Sequence, residues 1–177
     1  MVSRPHNVER WDEETFQDLY ERTARILWPY VFRMTQNRAV ADDILQETYL
    51  RFLEAEKTRD LPPEHAKNYL FRIASNLAID YFKMSRREES SGEMEPQAAR
   101  NGPNDIFGLL RELRTRDQRL LLLAYVHGFT HREIASVLGY TAGSVRPLLA
   151  RARDRFAALL DRHGFRMSRR RRGSDDA

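Results

Sequence analysis

A chain of 177 residues with 41% hydrophobic and 32% charged side chains suits one or two small domains rather than a large α/β enzyme, and no apolar run is long enough to span a bilayer. It has no cysteine, which excludes disulfides, thiolate metal sites and cysteine nucleophiles. The net charge of +4 conceals an asymmetry: residues 108–172 hold fifteen arginines against five acids, a local +10, leaving −6 elsewhere, as expected if one half meets phosphate and the other does not.

The opening MVSRPHNVERWDEE lacks an apolar signal region, so the expected location is the cytoplasm, with residues 1–11 disordered and a helix beginning at Trp11 or Asp12. Phe16, Leu19, Tyr20, Thr23, Ile26, Leu27 and Val31 then recur at helical spacing, a core stripe that Pro29 is expected to bend or interrupt. From Ala39 to Glu56 a second helix puts Ala41, Ile44, Leu45, Tyr49, Phe52 and Leu53 on one apolar side. Its opposite side sets Leu50 among Asp43, Gln46, Glu47 and Glu54, either a lone exposed leucine or a small docking spot ringed by polar groups. Paired Asp42 and Asp43 have no histidine or glycine-rich loop nearby to suggest metal or acid–base chemistry.

After a loop with Asp60, Pro62 and Pro63, the stretch NYLFRIASNLAIDYFKMSRR (68–87) interleaves Tyr69, Phe71, Tyr81 and Phe82 with Arg72, Lys83, Arg86 and Arg87. Rings that stack on bases beside cations that follow a backbone suit single-stranded nucleic acid. Leu70, Ile73, Ala74, Leu77 and Tyr81 form a competing core stripe; Asn76 lies off it, and its amide suits the edge of an unpaired base. Residues 88–105, rich in Ser, Gly, Pro and Glu, read as a flexible linker between a domain over 12–87 and another over 106–163, free to take separate positions on a partner.

In the second domain, Asn104 or Asp105 caps a helix through Leu109, Leu110 and Leu113, and Gln118 to Val126 forms a central helix ended by His127 and Gly128. The stretch THREIASVLGYTAGSVRPLLARAR (130–153) then carries a capping box, Thr130 with Glu133, a turn glycine, Gly139, and Thr141 as a second cap. Ile134, Ala135, Leu138, Val145, Leu148, Leu149 and Ala152 fall where two steeply crossed helices would meet. The outer face of the second helix shows Ser144, Arg146, Arg151 and Arg155, as a groove-entering helix requires; the plainer alternative is an αα-hairpin whose arginines are only solvated. The tail 164–177, with Arg166 and Arg169 to Arg172, is expected to be disordered and to add nonspecific phosphate attraction. The five histidines show no metal-ligand spacing, and no constellation of catalytic residues stands out, so neither an enzyme nor a cofactor is expected.

In this order the pieces resemble a bacterial extracytoplasmic-function, or group 4, sigma factor of the sigma-70 family. ADDILQETYLRF (41–52) is similar to the helix that binds core polymerase, NYLFRIASNLAIDYFKMSRR to the −10 element helix, and residues 110–145 to the C-terminal domain. The resemblance implies an all-α protein of two small helical domains, a sigma-2 type bundle and a sigma-4 type helix-turn-helix domain. It implies that Asp43, Gln46, Glu47, Leu50 and Arg51 dock on the β′ clamp helices. Asn76 would hold a flipped −10 base, with Lys83, Arg86 and Arg87 on the backbone; Thr141, Ser144, Arg146, Arg151 and Arg155 would lie at −35 DNA.

The implied partners are core RNA polymerase (β′ clamp helices and β flap), promoter DNA and an anti-sigma protein, for a factor that is monomeric when free and not inserted in a membrane. The alternative is a free-standing helix-turn-helix regulator that binds operator DNA without polymerase. Pro147 departs from the family pattern: with Thr141 as cap it has no amide to give the Gly143 carbonyl, so the recognition helix is expected to kink or to start near Ser144. Leu148 and Ala150 resemble the iron-uptake branch.

Overall fold

The computed structural model describes residues 11–58, 61–90 and 106–165, and the expectations for the N-terminal residues, for most of the linker, for Asn104 and Asp105 and for the basic tail lie outside them. Among the described residues the fold is all-α.

Helix α1 (Glu13–Thr35) starts where Asp12 accepts from the Thr15 amide, which with the Thr15 side chain holds the Asp12 carboxyl below its ordinary range. It does not break at Pro29 but runs six residues further. The missing donor leaves the Arg25 carbonyl unpaired in the helix, at an exposed residue where water can serve it. Gln36, at a φ of 53°, turns the chain into α2 (Arg38–Glu54), capped by Asn37. A 3₁₀ turn (Glu56–Thr58) leads to α3 (Pro63–Ser90), which begins before and ends beyond the helix read from the sequence.

On these helices Leu27, Tyr30, Val31, Phe52, Leu70 and Phe71 are completely buried. Several polar groups inside the bundle are paired: Thr23 bonds the Leu19 carbonyl at 2.6 Å and the Tyr49 hydroxyl at 2.7 Å, while Trp28 Nε1 donates to Asp42 at 2.6 Å. Asp42 is thereby tied into the bundle. Trp11 closes one end, its ring edge-on to Phe52 and its Nε1 donating to the Thr58 carbonyl at 2.7 Å.

The C-terminal half comprises α4 (Ile106–Leu110), α5 (Thr115–Leu121), α6 (His131–Leu138) and α7 (Ala142–Arg162). α5 widens into a π turn over Leu122–Val126, which exposes Tyr125 and Val126. Asp117, at the start of α5, is fully buried and bonded to Arg155 of α7 at 2.7 Å.

The two halves do not lie apart. α6 packs on α3, and one buried cluster runs from Tyr30 and Phe71 through Phe129 to Ile134 and Val145. Phe71, read from the sequence as one of the rings available to nucleic acid, is instead wholly buried at this junction, 4.7 Å from the Phe129 ring.

Candidate functional site

Three surfaces carry the residues singled out above. On α2, Asp43, Gln46, Leu50 and Arg51 are exposed and Glu47 is half-buried, its carboxylate bonded to Arg51 Nε at 2.6 Å one turn on. Leu50 is 55% exposed. Leu53, assigned to the buried side by simple winding, is also exposed, three residues from Leu50 and so beside it on the helix surface. Tyr20 of α1 is likewise exposed and tilts against Tyr49 at 4.8 Å, so the apolar spot is broader than one leucine. Exposed apolar groups edged by carboxylates form a surface suited to a partner with apolar and basic side chains.

On α3, Asn76 and Arg72 are exposed while Ser75 and Ala74 beside them are buried, so the amide of Asn76 points outward from a rigid helix. Lys83 is exposed and pairs with Asp80 at 3.1 Å; Tyr81 and Phe82 are half-buried, their rings 5.7 Å apart. The side chains of Arg86 and Arg87 lie outside the described residues, although α3 extends through both positions.

The third surface is the α6–turn–α7 unit. Thr130 Oγ1 accepts from the Glu133 amide at 3.3 Å, and the Thr130 amide donates to the Glu133 carboxylate at 2.8 Å, the reciprocal bonds of a capping box. Burial pushes the Glu133 pKa up, but those hydrogen bonds and nearby Lys67 outweigh it and hold it below its ordinary value. Gly139 takes the left-handed conformation at φ 72°, which a side chain would strain. Ile134, Ala135, Val137, Val145, Leu149 and Ala152 are buried in this half.

The recognition helix α7 starts at Ala142, not near Ser144, and it continues through Pro147. Pro147 is exposed and its i−4 partner is Gly143, also exposed and with open space around it, so solvent can serve the carbonyl that proline leaves without a donor. Thr141 makes no capping bond to the backbone; its hydroxyl instead meets that of Ser144 at 2.7 Å. Thr141, Arg146 and Arg151 are exposed on this face. Arg155 is turned to Asp117 and braces α7 against α5.

The profile of the Sigma-70 region 2 family matches residues 19–88 and that of Sigma-70, region 4 matches residues 104–156, well over half of the chain together. The chain belongs to the sigma-70 family. Within that family its relatives are extracytoplasmic-function sigma factors, and it belongs to that group. It is 27% identical to BldN of Streptomyces coelicolor over 173 residues, 90% of this chain and 66% of that one. It is 28% identical to the ferric citrate uptake factor FecI of Escherichia coli over 151 residues, 78% of this chain and 86% of that one. Near-equal identity to both does not single out the iron-uptake branch. Among solved structures, the sigma factor RpoE of Bartonella quintana, crystallised with the anti-sigma factor NepR, has the same fold: TM-score 0.65, 20% identity, covering 84% of this chain and 98% of that one.

Proposed function

We propose that this chain is a promoter-specificity factor: it binds core RNA polymerase, opens the −10 element with its N-terminal domain and grips duplex −35 DNA with α7. The observation that carries this reading is the coexistence, on one sigma-family chain, of an apolar and acidic face on α2 with two separate exposed polar and basic surfaces on α3 and α7. A free-standing operator-binding regulator has use for the third surface only.

Asp43, Gln46, Glu47, Leu50 and Arg51, joined by Leu53, take the β′ clamp helices. Asn76 receives an extruded −10 base; extrusion costs a few kcal/mol, which stacking and a preformed pocket offset. Lys83, Arg86 and Arg87 steady the strand backbone. Thr141, Ser144, Arg146 and Arg151 face the −35 groove, and Arg155 serves them indirectly through Asp117. An apolar groove of about 400 Å³ between α4, the end of α5 and α7, lined by Ile106, Phe107, Leu110, Tyr125, Val126 and Leu160, offers the β flap an apolar seat.

The factor acts in the cytoplasm, catalyses nothing itself and leaves the chemistry to polymerase; no described helix is long and apolar enough to cross a membrane. Like the Bartonella factor, it is open to restraint by an anti-sigma protein. The domain limits proposed are 12–87 and 106–163. The test is polymerase dependence: core enzyme and this chain together should protect promoter DNA that neither protects alone.

A further inference from the structure

Two residues in one turn of α7 are poor helix formers that the protein's own packing does not call for. Gly143 takes no left-handed φ, and a Cβ placed on it would meet nothing within 4 Å. Pro147 is exposed, so no core demands its ring. It is the sixth residue of α7, past the first turn in which a helix tolerates proline. The amide it lacks is the one that would close on the Gly143 carbonyl. Pro29 does the same to the carbonyl of Arg25 in α1, but Arg25 carries a long side chain. Gly143 has no side chain to screen its carbonyl.

Gly143, Pro147 and Arg151 follow at intervals of four, one stripe along the helix, and all three are exposed. An unspent acceptor, an apolar ring and a guanidinium therefore share the face proposed above to enter the −35 groove. The acceptor restricts what it can meet. Phosphate oxygens only accept, so a carbonyl gains nothing from the DNA backbone. In the major groove the donors are two, the N6 amine of adenine and the N4 amine of cytosine. The ring beside the carbonyl chooses between them. An A·T pair offers it a thymine methyl, whereas a C·G pair sets there the O6 acceptor of guanine, which an apolar ring would strip of water.

We propose that the Gly143 carbonyl, set free by Pro147, reads an A·T pair in the −35 element: it accepts from adenine N6 while the pyrrolidine ring packs on the thymine methyl. The inference rests on the −35 role of α7 proposed above. Arg146 and Arg151, with paired donors suited to guanine O6 and N7, read other positions. Pro147 is a specificity-determining residue that acts by withholding a donor. At a base pair without an amine in reach, the orphaned carbonyl loses its water and gains no partner, which disfavours the wrong sequence as well as rewarding the right one.

The test is sequence selection by holoenzyme, core polymerase with the full chain, on promoters randomised through the −35 element. The wild type should enrich A·T at one position about tenfold over other pairs. Pro147→Ala restores the amide; its profile should lose that one preference while Tm rises as the helix regains its bond. Gly143→Ala keeps the proline and crowds the carbonyl. The protein has room for the added methyl, so this variant should fold and lose the same preference. At the selected position, purine deoxyriboside in place of adenine removes the amine and should weaken wild-type binding about tenfold, but Pro147→Ala less than about twofold. Deoxyuridine in place of thymine removes the methyl and should weaken wild-type binding about threefold. Enrichment of A·T at no position, or a profile unchanged in both variants despite the raised Tm, overturns the carbonyl contact. Enrichment of no −35 sequence at all by the wild-type holoenzyme would strike the −35 role of α7 itself, and this inference with it.

Discussion

Arg155 Nη1 lies 2.7 Å from Oδ2 of Asp117, a carboxylate whose side chain is 1% exposed, so the middle of the recognition helix is fixed to the central helix of its domain by one ion pair. Removing one partner of a buried pair leaves an uncompensated charge, at a cost of about 3–5 kcal/mol when both are sequestered. Because Arg155 is 39% exposed and Arg116 stands 3.5 Å from the other Asp117 oxygen, Arg155→Ala should cost the C-terminal domain a smaller amount, about 1–2 kcal/mol. Urea unfolding measures this. Arg146→Ala should leave stability alone and lower the salt dependence of −35 binding by about one phosphate contact. The opposite assignment, with Arg155→Ala altering the salt slope at full stability, would return Arg155 to the DNA face.

Thr130→Ala removes one acceptor and half of a capping box at the entry to the helix-turn-helix. A loss of about 1 kcal/mol is expected, seen as a lower melting temperature of the C-terminal domain. An unchanged melting temperature would show that tertiary packing alone holds α6.

Charge reversal at Asp43 and Glu47 should abolish co-purification with core polymerase while circular dichroism stays native. The Glu47–Arg51 pair is exposed enough to add little to stability, so a fold defect is not expected. Retained binding would move the polymerase contact off α2.

The helices and the helix-turn-helix were legible because their signals are local: a start at Asp12, a cap at Thr130, a turn glycine at 139, apolar spacing within each segment. The prolines overstated the risk of interruption, since the helices holding Pro29 and Pro147 continue past both, with the orphaned carbonyls at exposed residues. Local periodicity could not give the burial of Phe71, because the ring that covers it, Phe129, is 58 residues away and in the other half. Leu53 fell on the apolar side by winding and still faces solvent, which spacing along one helix cannot show because burial depends on what packs against it.

His127 is pushed down to about 4, first by burial and then by the charges of Arg33 and Lys67. Tyr30 faces it too, its own pKa raised by burial, and Glu133 lies near Lys67. In the unfolded chain His127 titrates near its ordinary 6.5, so between pH 6.5 and 4 the unfolded form binds more protons and the fold loses stability. Above pH 6.5 the imidazole is neutral in both forms and has no effect. The urea midpoint should fall as pH drops through that window, and His127→Gln should remove that part of the loss. An identical profile in the variant would assign the loss to carboxylates.

Asn76→Ala should impair strand opening more than −35 binding, as it leaves α7 untouched and removes an outward amide on α3. Permanganate reactivity of −10 thymines reads the opening. Reactivity equal to wild type would take the base pocket away from Asn76.

Run-off transcription with purified core polymerase on fragmented genomic DNA of the source organism, with and without the protein, bears most directly on the central claim. A promoter-specificity factor gives new discrete transcripts whose start sites share one element near −10 and another near −35. No new transcripts, together with a shift of duplex DNA by the protein alone, would contradict that claim and leave a free-standing regulator in its place.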